Sequence, residues 1–290
     1  MTTHYVEATV MATSTRQKML DRLGLYLSFA VVALFAFFPI YWMLITSLTP
    51  TDQVFQFPPR LFPSQLTLDH YRSFFENPTL LRYFRNSLFV STATATGSII
   101  VSSYAAYSFS KFRYAGRRAL MFLILSAQMF PQALLLIALY LMFDDLDLLN
   151  SYWSMILAFT TFTLPLCIWM LKSYFDTIPD DLIEAARVDG ANQLQIIHRI
   201  LLPIAAPALV STGLFAFIRG WNDYIYALTL AGPQKMTLPP GLVLNFIGEF
   251  QTSWPSLMAS SFIVSLPIVV AFLFMQRYIA GGLTAGAVKG

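Results

Sequence analysis

The chain has 290 residues, of which 57% are hydrophobic and only 11% are charged, and its mean hydropathy is +0.61. Because a soluble globular protein carries about 25% charged residues, this composition excludes a soluble domain and predicts an integral membrane protein. The net charge of +3 is too small to indicate nucleic-acid binding, and the single cysteine, Cys167, excludes an internal disulfide and a cysteine-based metal cluster.

Apolar runs without charge predict the membrane spans, because a spanning helix needs about 20 apolar residues. We therefore predict an all-α membrane protein with six transmembrane helices between residues 23 and 278, after a polar, disordered tail (1–22) and before a C-terminal tail (279–290). The six runs are 23–48, 87–110, 119–143, 148–171, 200–218 with a continuation to about 228, and 250–276.

A seventh apolar run, 236–248, is too short to span the bilayer. It contains Pro239, Pro240 and Gly241, which predict a loop outside the hydrocarbon region.

The Lys and Arg residues predict the orientation. If both ends lie on the same side, twelve of the 18 fall on that side, five fall on the other, and Arg219 lies within a span. Positive charge marks the cytoplasmic side, and the loop KFRYAGRR at 111–118 is entirely basic in its charges. Both termini and the polar segment 184–203 are therefore predicted to be cytoplasmic.

That segment, EAARVDGANQLQIIHRILLP, lies in a loop from about 172 to 203 and predicts a helical hairpin. Thr177 is expected to cap the first helix and Gly190 to end it, while Asn192 caps a second helix that runs to Pro203, where the fifth span begins. Leu182, Ala185 and Ala186 share one face of the first helix, and the two alanines leave a flat surface that another protein could approach. These residues fit a hairpin resting on the bilayer as well as a docking element.

The spacing of this segment resembles the EAA signature of permease subunits of binding-protein-dependent ABC importers. The matching residues are Glu184, Ala185, Ala186, Gly190, Ile200, Leu202 and Pro203. Four further stretches resemble the maltose-type, carbohydrate subfamily: residues 46–71, RNSLFVS at 85–91, RGWNDYIYAL at 219–228 and QRYIAGGLTAGAVKG at 276–290. The resemblance covers nearly all of residues 25–290 and implies the type I ABC importer permease fold in a bacterial or archaeal inner membrane.

The resemblance also implies a function and partners. The chain would translocate a carbohydrate, such as a di- or oligosaccharide, by alternating access, and would not itself be an enzyme. Its partners would be a second permease subunit (a related chain or another copy), two cytoplasmic ATPase subunits that hold ATP and Mg, and a solute-binding protein. No cofactor or metal would bind this chain. A polyol, a uronic-acid oligomer and glycerol phosphate remain open as substrates.

Three contact surfaces follow from the resemblance. The ATPase-docking residues are Glu184, Ala185, Ala186, Asp189, Gly190, Ile200, Leu202 and Pro203. The C-terminal residues that would reach between the ATPase subunits are Gly286, Ala287, Val288, Lys289 and Gly290; the alternative is a frayed terminus. The contacts to the binding protein, within 231–255, are Gln234, Lys235, Pro239, Asn245 and Glu249.

Polar residues within the spans are candidates for the translocation path or for local structure. Arg219 and Asp223 are four residues apart and predict an ion pair near the outer end of a helix. The path candidates are Gln128, Gln132, Thr161, Thr163 and Asn222. Helix-interior prolines that could bend the spans are Pro131, Pro165 and Pro267.

Two other classes of protein were considered. An ion-coupled secondary transporter usually needs ionisable groups near the middle of the bilayer, and no Asp, Glu, Lys, Arg or His falls at mid-depth in a predicted span. A membrane enzyme would need a cluster of His, Asp or Glu, which the spans also lack. The EAA signature therefore favours the ABC permease, with the secondary transporter as the alternative.

Overall fold

The computed structural model describes residues 3–58, 60–248 and 252–287, with side chains from residue 19 to residue 276 within these ranges. Helices dominate them, and the only β-type pairing in these ranges is one isolated bridge between Ile247 and Thr252. The helices are α1 (Thr3–Leu48), α2 (Asp69–Glu76), α3 (Pro78–Lys111), α4 (Arg117–Ser126), α5 (Gln132–Asp145), α6 (Tyr152–Phe175), α7 (Asp180–Val188), α8 (Gln193–Ile196), α9 (Leu202–Ile204), α10 (Ala206–Trp221), α11 (Ile225–Leu230), α12 (Leu238–Phe246) and α13 (Trp254–Ala287).

The helices that could cross a membrane agree in part with the predicted spans. In the described ranges, four are long and apolar enough: Met19–Leu48, Pro78–Lys111, Tyr152–Phe175 and Trp254–Gln276. Two bent pairs pass the same test together, so six spans are reached only if each bent pair is one span. The side of the membrane on which the termini lie stays a prediction.

The third predicted span is broken. Its two parts, Arg117–Met129 and α5, meet at 98°. Pro131 lies between them and explains the break. It has no N–H to donate, and it disfavours helical backbone at the preceding Phe130, whose ψ is 129°. The prediction that Pro131 lies inside a helix is therefore wrong, whereas Pro165 and Pro267 do lie inside α6 and α13.

The fifth predicted span is also wrong at both ends. Its helix, α10, begins at Ala206 rather than at Ile200, after an 83° bend. At the outer end α10 stops at Trp221 and does not continue to 228, because the Asp223 carboxylate accepts hydrogen bonds from the backbone N–H groups of Tyr226 and Ala227 and so starts α11. Arg219 and Asp223 consequently do not share a helix, and the ion pair predicted between them is not formed.

Two segments predicted to be irregular are helical. The backbone of α1 is continuous from Thr3, so the disordered tail predicted over 1–22 is wrong for its described part. The run 236–248 contains α12 instead of a loop. Pro239 and Pro240 fall in the first turn of α12, where a missing N–H group leaves no helical hydrogen bond unmade.

The described residues form two compact units. The first contains residues up to Tyr71 and Trp254–Phe262, and within it the Ser47 and Tyr71 hydroxyls lie 2.6 Å apart. The second contains Arg72–Ser253 and the residues from Ile263 onward, and its centre is the packing of α3 against α6 and α10.

Small polar side chains line the buried face of α3 in the second unit. They are Ser87, Ser91, Thr94, Ser98 and Ser102, each with no exposed surface. Their size lets the neighbouring backbones approach closely, since a Cβ atom at Gly220 of α10 would lie 3.2 Å from the Cα of Ser91.

Candidate functional site

The predicted hairpin is present and begins one residue after Pro179. Asp180 and Asp181 stand in the first turn of α7, where the helix dipole favours negative charge. The predicted cap Thr177 is wrong, because its hydroxyl instead donates to the carbonyl of Tyr174 at 2.7 Å. Pro179 is the residue that immediately precedes the helix.

The turn of the hairpin confirms two sequence predictions. Gly190 has φ +84°, a left-handed conformation that favours glycine, and its N–H donates to the carbonyl of Arg187 at 3.0 Å. Asn192 then caps α8 reciprocally: its side chain accepts from the N–H of Gln195 at 2.9 Å, and the Gln195 side chain accepts from the N–H of Asn192 at 2.8 Å. The turn is therefore defined by local hydrogen bonds and backbone conformation.

The hairpin packs into a hydrophobic core that it shares with the C-terminal ends of α3 and α6. The buried members include Tyr107, Leu171, Phe175, Ile183, Ala186, Ile196, Ile197 and Leu201. Ala186 is only 7% exposed, so the predicted flat face of two alanines is wrong. Ala185 remains on the outer surface.

The other signature residues divide between surface and core. Glu184, Gly190 and Pro203 are exposed, and Ile200 and Leu202 are half-buried against the hairpin core. Asp189, a docking candidate outside the signature, is also exposed. Val188, which the motif does not include, is 87% exposed. The outward surface around the turn is therefore formed by Glu184, Ala185, Val188, Asp189 and Gly190.

Polar side chains near the C-terminal end of α3 hold the hairpin in place, and sequence reasoning missed them. The Lys111 ammonium donates to the carbonyl of Ile178 and to the carboxylate of Asp180, each at 2.7 Å. The hydroxyl of Ser110 donates to Asp176 at 2.7 Å. These contacts hold the first arm of the hairpin, which is α7 and the residues before it, against α3. Two tyrosines of α3 contact the second arm, which begins with α8.

These two tyrosines lie three residues apart, one turn along α3. The hydroxyl of Tyr107 donates to the side-chain oxygen of Gln193, and that of Tyr104 lies 2.8 Å from Nε2 of His198. Tyr104, Tyr107 and Lys111 are spaced by three and four residues, so they share one face of α3. This spacing is the sequence signal from which these three residues could have been predicted.

A polar cleft opens between this end of α3 and α7. Its lining includes Lys111, Arg113, Asp180, Glu184, Arg187 and Gln193. The pKa of the Asp180 carboxyl lies below its ordinary value, because it accepts a hydrogen bond from Lys111 and lies beside that cation. The cleft therefore presents charges of both signs next to the exposed turn.

The predicted contacts to a binding protein cluster near α12. Gln234 and Asn245 are exposed, whereas Lys235 and Pro239 are half-buried. The Lys235 ammonium lies 5.6 Å from the centroid of the Tyr152 ring, and the Asn245 amide donates to the carbonyl of Gly241 at 2.7 Å. Glu249 lies outside the described residues.

The predicted path residues differ in burial and in their hydrogen-bond partners, and their role in a translocation path stays a prediction. Thr163 has no exposed surface and its hydroxyl lies 2.7 Å from that of Ser98, between α6 and α3. Thr161 donates back to the carbonyl of Leu157 in its own helix at 2.8 Å. Gln128 and Gln132 lie on either side of the break before α5.

Contacts with neighbouring helices occupy both sides of that break. The Gln128 amide donates to the carbonyl of Phe162, and the carbonyl of Gln132 accepts from the Tyr226 hydroxyl at 2.6 Å. Asn222 is exposed at the break after α10. Among these candidates Gln128 and Asn222 are exposed, whereas Gln132 is half-buried.

The C-terminal candidates lie at the edge of the described chain. Gly286 and Ala287 form the last turn of α13, and Val288, Lys289 and Gly290 lie outside the described residues. Among the described side chains, His, Cys, Asp and Glu form no group of three or more that could hold a metal ion.

Comparison with known proteins relates this geometry to a family. Residues 98–284, which include the hairpin, match the family described as "Binding-protein-dependent transport system inner membrane component". The chain is 37% identical to the inner membrane ABC transporter permease protein YcjP of Escherichia coli K12, over 96% of this chain and 100% of that protein. It is 35% identical to the trehalose/maltose transport system permease protein MalG of Thermococcus litoralis, over 95% of this chain and 99% of that protein.

A solved structure shares the fold. It belongs to a bacterial ABC transporter involved in the import of the acidic polysaccharide alginate, with a TM-score of 0.80 and 25% identity over 91% of this chain and 98% of that chain. The resemblance to maltose-type permeases, and the type I permease fold that it implied, are thereby confirmed. The chain belongs to the inner-membrane components of binding-protein-dependent transport systems, as an ABC transporter permease.

Proposed function

We propose that this chain is one permease subunit of an ATP-driven importer that moves a carbohydrate across the inner membrane by alternating access. The observation that carries the proposal is the hairpin: its turn is exposed, while its base is tied to α3 by Lys111, Ser110, Tyr104 and Tyr107. A partner that moves the hairpin would therefore move the cytoplasmic end of α3 with it.

The exposed turn is the proposed docking surface for an ATPase subunit. Glu184, Ala185, Asp189 and Gly190 offer small and acidic groups to that partner. Ala186 acts from within, because it belongs to the hairpin core. Ile200, Leu202 and Pro203 carry the chain from the second arm into the bend before α10. ATP and Mg would be held by the ATPase. The ATP-bound ATPase would shift the permease between its two conformations only if it binds one of them better than the other.

The substrate class is inferred from relatives. One is a trehalose/maltose system and the structural relative belongs to an alginate importer, so a di- or oligosaccharide is proposed and a uronic-acid oligomer is the principal alternative within the class. A second permease subunit, a pair of ATPase subunits and a binding protein that meets residues 231–255 complete the proposed transporter. The family supports this proposal over an ion-coupled transporter.

The docking proposal can be tested with two glycines that have nearly equal backbone conformations. Gly190 has φ +84° and Gly116 has φ +82°, and in both cases a Cβ atom would meet nothing within 4 Å. A tagged chain would be purified in mild detergent from host membranes as wild type, Gly190→Arg and Gly116→Arg, and ATP hydrolysis in the eluate would be measured.

We expect the ATPase to accompany the wild type and Gly116→Arg but to be lost from Gly190→Arg, since the strain of a left-handed arginine is the same in both variants. Absence of ATPase activity from the wild type, or equal activity in all three, would contradict the proposal. Uptake of maltose, trehalose, alginate oligomers, a polyol and glycerol phosphate by cells with and without the chain would then identify the substrate.

A further inference from the structure

The segment between α11 and α12 is fastened to the outer end of α3 by a single amide. The Nδ2 atom of Asn86 donates to the carbonyl oxygens of Gln234 at 3.1 Å and Met236 at 2.8 Å. Its Oδ1 atom accepts from the hydroxyl of Tyr152 at 2.8 Å. Asn86 is 4% exposed, so removing its amide would leave both backbone carbonyls without this donor, and that of Met236 would be buried without a partner.

The residues around Asn86 fasten the start of α12 to the same helix. The Ser87 hydroxyl accepts from the N–H of Leu238 at 2.7 Å, which is an N–H group that α12 itself cannot satisfy. One turn further into α12, Gly241 lies so close to α3 that a Cβ atom there would be 2.2 Å from the ring of Tyr83. The segment 231–237 and the helix after it are thus held by consecutive residues of α3.

These contacts decide which groups the segment presents outward. The carbonyls of Gln234 and Met236 point to Asn86, and the N–H of Lys235 donates to the carbonyl of Gly232 at 3.0 Å to close a turn. The side chain of Gln234 is left exposed. The Lys235 ammonium lies over the ring of Tyr152, the residue whose hydroxyl donates to Asn86.

We propose that Asn86 is a positioning residue for the binding-protein surface. It holds the backbone of 231–237 so that Gln234 and Lys235 are presented in one arrangement, and it does so from a buried position without touching the partner. This rests on the proposed function, because it takes 231–255 as the surface that meets the binding protein. Preorganisation of this kind lowers the concentration of partner needed for docking.

The test is Asn86→Asp, which keeps the size and the acceptor for Tyr152 but turns the donor into an oxygen facing two carbonyls. The matched control is Asn77→Asp on the same helix. Asn77 uses only its side-chain oxygen, which accepts from the N–H groups of Thr79 and Leu80 at 2.9 and 3.3 Å, so an aspartate can still cap α3.

The first readout is hydrogen exchange in the complete purified transporter without binding protein. Asn86→Asp is expected to speed exchange in 231–238 about tenfold, since two hydrogen bonds are lost, while peptides from 172–203 stay unchanged. Asn77→Asp should leave both regions as in the wild type. Unchanged exchange in 231–238 would overturn the proposal. Asn86→Ser, which carries no charge, is judged by the same criterion if the aspartate variant cannot be purified.

The second readout is ATP hydrolysis as a function of the concentration of loaded binding protein. The half-saturating concentration should rise about tenfold in Asn86→Asp, with the maximal rate kept. A loosened segment with an unchanged half-saturating concentration would overturn the positioning role while leaving the proposed function intact. If no binding protein stimulated ATP hydrolysis by the wild-type transporter, the proposed function and the binding protein as the partner of 231–237 would both be refuted. The hydrogen-exchange result would still show whether Asn86 holds that segment.

Discussion

Lys111 and Asp180 form the ion pair that joins the C-terminal end of α3 to the first turn of α7, with 2.7 Å between Nζ and Oδ1. The two side chains differ in environment, since that of Lys111 is 5% exposed and that of Asp180 is 64% exposed. The same ammonium also donates to the carbonyl of Ile178. The buried partner is therefore the cation, and its loss would leave a backbone carbonyl unsatisfied.

Replacing Lys111 with methionine should loosen the hairpin. Methionine keeps an unbranched side chain that is slightly shorter than that of lysine, but it removes both hydrogen bonds. The expected loss is about 1–3 kcal/mol of stability, mostly from the unpaired carbonyl of Ile178. Thermal unfolding in detergent and hydrogen exchange over 176–190 would measure it. Lys172→Met is the matched control, because its pair with Asp176 lies at one helix end and should contribute only about 0.5 kcal/mol. Equal losses in the two variants would argue against this role of Lys111.

The pair should also make the hairpin sensitive to acid. The pKa of Asp180 is lowered by the hydrogen bond and the charge of Lys111, with smaller contributions from Arg113 and Arg187. A carboxyl whose pKa is lower in the folded state stabilises that state above its ordinary pKa, about 4, and the contribution is lost as the pH falls through the lowered value.

The difference in melting temperature between wild type and Asp180→Asn is the quantity to measure. It should be constant between about pH 7 and pH 5 and should begin to shrink near pH 4, where the carboxyl of the unfolded chain gains its proton. It should be largely lost once the pH has fallen through the lowered pKa of the folded state. A difference that grows on acidification would show that another group dominates.

Ala185 and Ala186 are neighbours with different roles, since Ala185 is exposed and Ala186 is buried. The same substitution should therefore affect partner binding at one and stability at the other. Ala186→Leu would overpack the hairpin core and cost about 1–3 kcal/mol. Ala185→Leu adds bulk to the exposed surface and should change stability by less than about 0.5 kcal/mol, yet it should displace the ATPase from the purified complex. Thermal unfolding and ATPase co-purification separate the two results. An ATPase that is retained by Ala185→Leu would remove this residue from the docking surface.

Two helical glycines should respond oppositely to alanine. In Gly241→Ala the new methyl group would meet the Tyr83 ring, which must shift, and we expect a loss of about 1–3 kcal/mol. In Gly97→Ala the nearest atom, Oγ1 of Thr160, is 3.5 Å away, so the helix should gain about 0.5–1 kcal/mol from reduced backbone freedom. Thermal unfolding of both variants is the measurement. A stabilised Gly241→Ala would mean that α12 does not press on α3 in the membrane.

Local chemistry explains which parts of the hairpin could be predicted from sequence. Gly190 and Asn192 act on residues within four positions of themselves, so their turn and cap can be recognised in a linear pattern. The family resemblance rested on the same compact segment. The bends at Pro131 and at Ala205, which lies between Pro203 and Pro207, are harder to predict. A proline in an apolar run is compatible with a bent helix and with two separate helices.

Distant partners account for the roles that sequence reasoning missed or misplaced. Lys111 contributes to a basic loop and was interpreted only as a mark of the cytoplasmic side, whereas its carboxylate partner is 69 residues away. Thr163 is a path candidate as a polar residue within a span, but it is buried against Ser98, 65 residues away. A side chain's neighbours across helices follow from packing, which the pattern of one span does not encode.

The helix that holds both proposed docking surfaces is a single piece. Asn86 and Lys111 stand 25 positions apart on α3, a rise of about 38 Å, and no proline interrupts the helix between them. An unbroken α-helix resists stretching and twisting, so its two ends cannot be displaced along the axis independently. An axial shift or rotation imposed on α3 at Asn86 should therefore be transmitted to Lys111 and to the hairpin that it contacts, so α3 would couple the two proposed docking surfaces mechanically.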